Sequence, residues 1–285
     1  MASSLSSNQK VAVVTGSSSG MGFETSLTLA RNGFMTYATM RNLNKSKNIN
    51  SLAEKEKLPL KIVQLDVTDD GSVKNAMQSI TDEANRMDVL VNNAGYPLNG
   101  AFEDLAMEEI KAQFETNLFG VTRVTQAALP IMRKQKSGII VNISSGVVTI
   151  GGIPGGSAYV STKFAIEGLS KSMAYELEPF GIRVVLVEPG VIRTNFVNAI
   201  VAAKKSQDPN SPYSQMMQKM AASFEPLLEN GSSADVVAKV VLNAVTSENP
   251  SAKYLAGKDI ETLMEAKRSM SDEEFSKMMM QNFMK

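Results

Sequence analysis

The feature that most constrains the fold of this chain is a regular alternation of short apolar, β-branched runs with longer helical patterns. The apolar runs occupy residues 11–15, 35–40, 61–66, 88–93, 139–144 and 182–188. The helical patterns between them occupy residues 20–32, 45–57, 71–84, 107–134 and 157–178. Several runs are apolar throughout, which is typical of parallel strands that are buried on both faces. Strand alternating with helix predicts an α/β fold, with a doubly wound parallel sheet and helices on both of its faces.

The rest of the chain extends this pattern without a linker or an internal repeat. A seventh strand is predicted at 253–257, and two amphipathic helices are predicted at 258–285. Residues 1–9 are polar and predict a flexible tail, which leaves residues 10–285 as one domain. Residues 195–232 interrupt the alternation with a polar stretch punctuated by prolines. Such an insertion after the sixth strand is typical of a lid over a substrate site, and a peripheral helical hairpin explains it equally well.

The composition excludes several classes of enzyme and partner. The 285 residues contain no histidine and no cysteine, which excludes Ser-His-Asp and Cys-His nucleophiles, disulfides, and zinc sites of thiolate or imidazole. We therefore predict no metal site, and any acid–base chemistry has to come from Asp, Glu, Lys or Tyr. A formal net charge of zero, without a Lys/Arg block, argues against nucleic-acid binding. Because no apolar run approaches about 18 residues and the N-terminus lacks a signal-peptide core, we predict no membrane span and a cytoplasmic location.

Each predicted strand is followed by residues that suit turns and ligand contacts. These segments are TGSSSGMG (15–22), RN (41–42), DVTDD (66–70), NNAG (92–95), SSG (144–146) and PG (189–190). In an open parallel sheet, ligands bind outside the carboxyl ends of the strands, where the strand order reverses. Six such segments at one edge of the sheet therefore predict the rim of a ligand site.

The first of these segments has the properties of a phosphate-binding loop. Glycine lets the backbone turn tightly and approach a phosphate, while the following helix offers free N–H groups and the positive end of its dipole. The spacing Gly16-x-x-x-Gly20-x-Gly22 differs from the G-x-G-x-x-G fingerprint of extended dinucleotide sites. The chain also contains no G-x-x-x-x-G-K-[ST] motif, which argues against a P-loop nucleotidase.

The end of the second strand bears on the choice of cofactor. An acidic residue there usually binds the ribose 2′-hydroxyl of NAD, whereas a nearby arginine suits the 2′-phosphate of NADP. This chain has Met40 and Arg41 at that place and no carboxylate. We therefore predict that NADP(H) is preferred over NAD(H); the alternative is that Arg41 is a solvated surface charge.

A tyrosine and a lysine spaced four residues apart are the strongest candidates for proton transfer. Tyr159 and Lys163 lie in a predicted helix, where residues i and i+4 share one face. Tyr254 and Lys258 have the same spacing, so the spacing alone does not identify a catalytic pair. The second pair has no comparable surroundings, and Gly257 is expected to interrupt a helix between its two members.

Taken in this order, the motifs resemble the short-chain dehydrogenase/reductase family in its single-domain form. The residues that carry the resemblance are Thr15-Gly16-x-x-x-Gly20-x-Gly22, Asp66, Asn92-Asn93-Ala94-Gly95, Asn117, Ser144 and Ser145, Tyr159-x-x-x-Lys163, and Pro189-Gly190. They span residues 10 to about 195. The resemblance implies a Rossmann-type fold of about seven strands with a C-terminal helical extension.

The resemblance also implies roles for individual residues. The catalytic residues would be Tyr159, Lys163, Ser145 and Asn117, with Tyr159 as proton donor, a serine on the substrate carbonyl, and Asn117 in a water-linked relay. The cofactor would contact Gly16, Ser18, Ser19, Gly20, Met21, Gly22, Arg41, Asp66, Val67, Asn93, Ala94, Gly95, Tyr159, Lys163, Pro189, Gly190, Ile192 and Thr194. An ammonium about 5 Å from the phenol, at an effective dielectric of about 20, would favour the phenolate by roughly 3 kcal/mol. We therefore expect Lys163 to lower the pKa of Tyr159 by about two units.

The position of the serine departs from the family pattern. The family places this serine thirteen residues before the tyrosine, and Gly146 stands there in this chain. Ser145 precedes Tyr159 by fourteen residues, which implies one extra residue in the glycine-rich loop between them. Ser145 is the predicted catalytic serine, and Ser144 is the alternative.

The predicted function is NADP(H)-dependent hydride transfer to or from a carbonyl or secondary alcohol. The tail, with YLAGKD at 254–259, resembles the retinol and hydroxysteroid dehydrogenase branch and implies a hydrophobic small-molecule substrate. The alternatives are a nucleotide-binding redox regulator without turnover and, less favoured by the glycine spacing, a sugar-nucleotide epimerase or dehydratase. The long helices at 107–134 and 157–178 are expected to pack across the interface of a homodimer or homotetramer.

Overall fold

A seven-stranded, fully parallel sheet forms the centre of the protein in the computed structural model, which describes residues 9–193 and 200–283. The strands are β1 (Val11–Val14), β2 (Met35–Met40), β3 (Leu60–Gln64), β4 (Val89–Asn92), β5 (Gly138–Ile143), β6 (Ile182–Pro189) and β7 (Lys253–Ala256). Their spatial order is β7-β6-β5-β4-β1-β2-β3. The predicted doubly wound parallel sheet is therefore confirmed, including the seventh strand.

Helices cover both faces of the sheet. They are α1 (Gly20–Arg31), α2 (Lys47–Glu56), α3 (Asp70–Ala84), α4 (Met107–Phe114), α5 (Gly120–Gln135), α6 (Gly146–Ile150), α7 (Ser157–Leu177), α8 (Ser214–Glu229), α9 (Ala234–Thr246), α10 (Lys258–Ser269) and α11 (Asp272–Phe283). Val11 and Val13 of β1 pack on the side of α3 and α5, whereas Ala12 and Val14 pack on the side of α1 and α9. Because successive side chains of a strand point to opposite faces, this double burial explains why the strand sequences are apolar throughout.

The strand order reverses at β1. The chain runs from β1 outwards to β2 and β3, and then returns to the other side of β1 to form β4. The loops that follow β1 and β4 therefore diverge and leave a crevice at the carboxyl edge of the sheet. This crevice is the place where the sequence predicted a ligand site.

The predicted helix over 107–134 is interrupted in the structure. α4 ends at Phe114, one π-helical turn spans Glu115–Phe119, and α5 continues to Gln135. A π turn inserts an extra residue into the helix and frequently occurs at functional sites. Here the turn contains Asn117, whose buried side chain bonds to a neighbouring loop. The sequence did not predict this interruption, because the turn depends on a long-range contact and not on a helix-breaking residue.

Helix α9 is a second difference, because the sequence analysis did not predict it. Val237, Val241 and Val245 are spaced four residues apart and are buried against the sheet face that also contacts α1. This spacing is an amphipathic helix pattern, and Ser233 stands at its N-cap position. The signal for α9 was therefore present in the sequence.

The C-terminal helices pack on the insertion that follows β6. Phe275, Met279 and Phe283 of α11 form one buried cluster with Met220 of α8, and Ile150 of α6 packs against it. The two predicted C-terminal helices are confirmed, and part of their methionine content is core. No helix among the described residues is long and apolar enough to cross a bilayer.

Two short strand pairs tie the insertion to the body of the domain. Val201–Ala202 pairs with Leu98–Asn99, and Ser232–Ser233 pairs with Ile192–Arg193. Asp104 is buried and accepts a hydrogen bond from Ser211 at 2.6 Å. These contacts fix both ends of the 200–233 segment. The predicted cofactor residue Thr194 lies outside the described residues.

Candidate active site

The loop between β1 and α1 forms a tight cradle. Gly16 and Gly20 adopt left-handed backbone conformations, with φ of +70° and +60°. A Cβ on Gly22 would lie 2.5 Å from the Gly16 carbonyl oxygen and 2.4 Å from Nδ2 of Asn93. Only glycine allows these positions, because a side chain would collide with backbone.

The cradle ends at the N-terminus of α1, where a phosphate could bind. Ser19 is the N-cap residue, and its side chain makes no capping hydrogen bond. The first turn carries no acidic residue. Free N–H groups at a positive helix end suit the diphosphate of a dinucleotide. The exposed or half-exposed residues Ser18, Ser19, Gly20 and Met21 border this position.

Thr15 connects the ends of β1 and β4. Its hydroxyl accepts hydrogen bonds from the backbone N–H groups of Asn93 and Ala94, each at 3.0 Å. In return, Nδ2 of Asn93 donates to the Thr15 carbonyl at 2.9 Å. The NNAG segment is thereby fixed beside the phosphate loop. Gly95 lies against Asn117, since a Cβ on Gly95 would be 3.0 Å from Oδ1 of Asn117.

Arg41 and Asp66 line one open cleft of about 610 Å³ beyond the ends of β2 and β3. Arg41 is exposed, and Oδ1 of Asp66 accepts hydrogen bonds from the backbone and hydroxyl of Thr68 at 3.0 and 2.8 Å. Val67 is buried against Gly120, and its carbonyl accepts from Arg123 at 2.6 Å. The structure therefore places the exposed guanidinium of Arg41 and the turn from Asp66 to Thr68 at the same edge of the crevice.

Tyr159, Lys163 and Ser145 come together where α7 passes the end of β5. Nζ of Lys163 lies 5.6 Å from the centre of the Tyr159 ring and donates to the Ile143 carbonyl at 2.8 Å. Tyr159 keeps part of its surface exposed, and Ser145 is near enough to its hydroxyl to oppose a rise in the pKa of the phenol. The structure thus joins residues fourteen and eighteen positions apart into one cluster.

The expectation that Lys163 lowers the pKa of Tyr159 is wrong for this structure. Burial raises the pKa of Tyr159 above its ordinary value of 10.0, and the hydrogen bond with Ser145 only partly opposes this effect. Burial also lowers the pKa of Lys163 from 10.5 to about 8. Lys163 therefore loses its charge as the pH rises through about 8, and its ammonium is directed at a backbone carbonyl rather than at the phenol oxygen.

The two serines that follow β5 have different surroundings. Ser144 is 2% exposed, and its hydroxyl donates to Oε1 of Glu167 at 3.2 Å. Ser145 is the N-cap residue of α6 and contacts Tyr159. The geometry therefore favours Ser145 over Ser144 as the serine that contacts a substrate.

Asn117 braces the cluster from the π turn. Its amide binds both the backbone N–H and the carbonyl of Tyr96, at 3.1 and 2.9 Å. It also donates to the hydroxyl of Thr162 at 3.2 Å, and that hydroxyl donates to the carbonyl of Tyr159 at 2.7 Å. Asn117 is thus connected to the backbone of Tyr159 through a single residue.

The segment after β6 closes the cluster opposite α1. The N–H of Gly190 donates to the Ala256 carbonyl at 3.0 Å, and Ile192 is buried in the core. Asp259 of α10 accepts from the N–H of Val191 at 2.7 Å. A Cβ on Gly190 would lie 2.3 Å from the same carboxylate. Sequence analysis missed Asp259, although it falls within the YLAGKD stretch.

Tyr254 and Lys258 have no part in this cluster. Tyr254 lies in β7, where its hydroxyl accepts from the N–H of Ser251 at 2.9 Å, whereas Lys258 begins α10. The prediction that Gly257 separates them is confirmed, with a φ of +129° at that glycine.

Sequence analysis also missed three charged residues behind Ser144. Glu167 and Glu188 are buried, and both pair with Lys253. Two signals were available: Glu167 continues the four-residue spacing of Tyr159 and Lys163, and Glu188 is an acid at the end of an apolar strand. Among the residues that the structure describes, no group of three acidic side chains could hold a metal ion.

Comparison with known proteins identifies the family. A model of the short chain dehydrogenase family matches residues 10–205. The uncharacterized oxidoreductase YusZ of Bacillus subtilis is 37% identical over 89% of this chain and 91% of its own. The 3-ketodihydrosphingosine reductase of Bacteroides thetaiotaomicron is 34% identical over 91% and 92%. Bovine retinol dehydrogenase 8 is 35% identical over 85% and 79%.

Solved structures agree with this assignment. A short-chain dehydrogenase from Streptomyces avermitilis superposes with a TM-score of 0.80 at 31% identity, covering 96% of this chain and 97% of its own. An alcohol dehydrogenase from the archaeon Thermococcus sibiricus, complexed with 5-hydroxy-NADP, gives a TM-score of 0.72 at 26% identity, covering 88% and 97%. The chain therefore belongs to the short-chain dehydrogenase family and is an oxidoreductase that acts on CH–OH groups with a nicotinamide cofactor.

Proposed function

We propose that this protein transfers hydride between NADP(H) and a hydrophobic ketone or secondary alcohol, with Tyr159 as the proton donor and acceptor. The observation that carries the proposal is the convergence of Tyr159, Lys163 and Ser145 at the carboxyl end of β5, with Nζ of Lys163 5.6 Å from the centre of the Tyr159 ring. The glycine cradle at Gly16 and Gly22 lies at the same edge of the sheet.

The cofactor and the side chains of the site would have separate roles in the reaction. The nicotinamide supplies the hydride, and the protein supplies orientation and proton transfer. The hydroxyl of Ser145 would hold the substrate oxygen, and Tyr159 would give that oxygen a proton during reduction. Burial keeps the pKa of Tyr159 high, which keeps the phenol protonated and ready to donate. Lys163, with a pKa of about 8, can exchange a proton in the working range.

Asn117 would support the site as a brace. Its amide already binds Tyr96 and, through Thr162, reaches the carbonyl of Tyr159. We propose that this chain of hydrogen bonds holds the first turn of α7 in register with the crevice. A water-linked proton relay past Asn117 remains part of the proposal, with the π turn as its anchor.

The preference for NADP(H) rests on Arg41. Its side chain lines the cleft at the end of β2, beside Asp66, where a 2′-phosphate would lie. Two structural neighbours are described with bound NADP or 5-hydroxy-NADP. We infer that the guanidinium recognises the phosphate bidentately, which a lysine would not reproduce.

A binding experiment tests this preference. Nicotinamide fluorescence should report tighter binding of NADPH than of NADH by the wild type, and Arg41→Ala should weaken NADPH by at least about tenfold while leaving NADH unchanged. Lys45→Ala is the matched control, because Lys45 is also an exposed cation in the segment after β2. Equal binding of both nucleotides by the wild type would refute the preference.

The hydrophobic character of the substrate rests on the residues around the crevice. The sulfur of Met217 in α8 lies 3.0 Å from the position of a Cβ on Gly155, and Ile153 packs with the α8–α11 cluster. Two relatives are named for 3-ketodihydrosphingosine and retinol. We propose that the 200–232 segment covers the substrate with this apolar surface. Turnover of a series of ketones of increasing chain length with NADPH should rise with length; a flat series would contradict the proposal.

We also propose a homodimer or homotetramer. Phe164 and Tyr175 of α7 are 47% and 84% exposed, and Phe119 of the adjoining π turn is 50% exposed. Phe164 and Tyr175 are eleven residues apart and so lie on one face of the helix. A face with two exposed aromatic rings is typical of a surface that a second subunit covers.

A further inference from the structure

Two buried carboxylates and one partly exposed lysine lie beside the segment that carries Ser145. Glu188 of β6 is fully buried, and Glu167 of α7 is 5% exposed. Lys253 of β7 pairs with Oε2 of Glu167 at 3.0 Å and with Oε1 of Glu188. Buried ion pairs rarely stabilise a fold more than apolar packing would, so their presence behind a site calls for a functional explanation.

The two carboxylates hold both ends of the short segment between Ser144 and Thr149. The hydroxyl of Ser144 donates to Oε1 of Glu167 at 3.2 Å. The hydroxyl of Thr149, at the other end of α6, donates to Oε2 of Glu188. Ser145 lies between these two attachments and contacts Tyr159. The position of Ser145 is therefore set from both sides by the buried charges.

The net charge of Glu167, Glu188 and Lys253 is zero if the two carboxyl groups share one proton. Burial raises the pKa of Glu188, and its neighbour Glu167 raises it further. Burial acts to raise the pKa of Glu167 too, but hydrogen bonds from Glu188, Lys253 and Ser144 outweigh it and the pKa is lowered. A neutral Glu188, an ionised Glu167 and a charged Lys253 sum to zero.

Two more cations face the group from the elements packed against it. Lys171, one turn further along α7, lies 3.9 Å from Oε2 of Glu167 and is exposed. Lys267 of α10 donates to the carbonyl of Thr149 at 2.7 Å. Lys267 therefore supports the Thr149 end of the segment through its backbone, independently of the hydroxyl.

One face of α7 contacts three successive residues at the carboxyl end of β5. Tyr159, Lys163 and Glu167 are spaced by four and share that face. Lys163 binds the carbonyl of Ile143, Glu167 binds the hydroxyl of Ser144, and Tyr159 contacts Ser145. Successive turns of the helix thus hold residues 143, 144 and 145 at fixed distances from one another.

We propose that Glu167, Glu188 and Lys253 form a positioning network that sets the position of Ser145 relative to Tyr159 by fixing Ser144 and Thr149. The inference rests on the proposed roles of Ser145 and Tyr159 in proton transfer. None of the three charged residues touches the reacting atoms; they act through Ser144, Thr149 and the backbone between them.

The test measures Tyr159 directly and needs no substrate. In protein labelled with ¹³Cζ-tyrosine, each of the six tyrosines gives one resonance, and Tyr159→Phe identifies the resonance of Tyr159. Ser144→Ala removes the bond to Glu167 and should raise the titration midpoint of Tyr159 by about one pH unit, because the Ser145 hydroxyl no longer favours the phenolate. Thr149→Val, which keeps the shape of the side chain, should raise it in the same direction. Circular dichroism at each pH confirms that the chain is folded.

A double variant separates this inference from a general loosening of the structure. Ser145→Ala alone should raise the Tyr159 midpoint, and adding Ser144→Ala to it should change the midpoint no further. Ser161→Ala is the matched control, since Ser161 is exposed on the same helix and bonds only to the Ser157 carbonyl. A wild-type midpoint in both Ser144→Ala and Thr149→Val, or full additivity with Ser145→Ala, would overturn the proposal.

Kinetics distinguish this inference from the proposed function. If the network acts as described, Ser144→Ala lowers kcat roughly tenfold with an unchanged KM for NADPH, and the pH profile of kcat shifts with the NMR midpoint. If no carbonyl compound is turned over, the proposed function is refuted. The NMR titration still tests the positioning network, because it needs no substrate.

Discussion

The Nζ atom of Lys163 lies 5.6 Å from the centre of the Tyr159 ring and donates its hydrogen bond to the Ile143 carbonyl, not to the phenol oxygen. The spacing of the two residues predicted their proximity correctly. It did not predict the direction of the ammonium, which is set by the end of β5. Lys163 therefore ties α7 to the sheet, while burial raises the pKa of Tyr159 and Ser145 partly opposes that rise.

Replacing Tyr159 should abolish turnover and spare the fold. Tyr159→Phe removes the proton donor, and we expect kcat to fall by about 10³-fold or more, because positioned acid–base groups contribute roughly 10² to 10⁴. NADPH affinity, measured by fluorescence, should change less than about threefold. Tyr175→Phe is the control, since Tyr175 is 84% exposed on the same helix and should leave kcat unaltered. Substantial turnover by Tyr159→Phe would remove Tyr159 from the mechanism.

The buried Lys163 should make stability depend on pH in a defined window. Its pKa is lowered to about 8 in the folded state from an ordinary 10.5, so between these values the unfolded chain binds more protons than the folded one. The free energy of unfolding therefore gains a contribution as pH rises from about 8 to 10.5, and loses it as pH falls through 8. The size of this contribution is about 3 kcal/mol.

Urea unfolding of Lys163→Met at pH 7, 8, 9 and 10 measures this contribution. Because the variant lacks this titrating lysine, only the wild type should gain stability as the pH rises. The free energy of unfolding of the variant minus that of the wild type should therefore fall by about 3 kcal/mol from pH 8 to 10.5. Lys134→Met replaces an exposed lysine of α5 and should show no such slope. If the free energies of unfolding of Lys163→Met and the wild type differ by a constant amount from pH 7 to 10, folding does not lower the pKa of Lys163.

The glycine cradle should tolerate no side chain at residue 22. The Cβ of Gly22→Ala would lie 2.5 Å from the Gly16 carbonyl oxygen, and neither backbone can move away freely. We expect a loss of about 1–3 kcal/mol in the free energy of unfolding and at least tenfold weaker NADPH binding. Gly168→Ala is the control, because among the described residues no heavy atom beyond its own helical turn lies within 4 Å of its Cβ position. NADPH binding by Gly22→Ala at the wild-type level would contradict this account of the loop.

A charge on the exposed face of α7 should dissociate the oligomer. Phe164→Glu places a carboxylate on the aromatic face that we propose to be covered by a second subunit, where an unpaired charge is costly. Sedimentation velocity at micromolar protein should show a dimer or tetramer for the wild type and a monomer for the variant. Leu227→Glu, at a comparably exposed position of α8, should leave the oligomer intact. A wild-type chain that sediments only as a monomer would disprove the interface.

Local patterns in the sequence were sufficient for the framework of the protein. Apolar strand runs, amphipathic helices and the residues that end each strand predicted all seven strands of the sheet and the crevice at its carboxyl edge. They could do so because burial of a strand on both faces leaves a continuous apolar run. The positions of Gly16 and Gly22 were predictable for a similar reason, since a tight backbone approach permits no other residue.

Contacts between distant segments were decided only by the tertiary structure. The π turn at Asn117, the bond of Ser144 to Glu167, and the ion pairs of Lys253 with Glu167 and Glu188 all depend on residues brought together from separate elements. The sequence by itself determined which residue types stand at the carboxyl edge of the sheet. The pKa of Tyr159 is raised, opposite to the expectation from its distance to Lys163, because burial acts in three dimensions and no spacing along the chain records it.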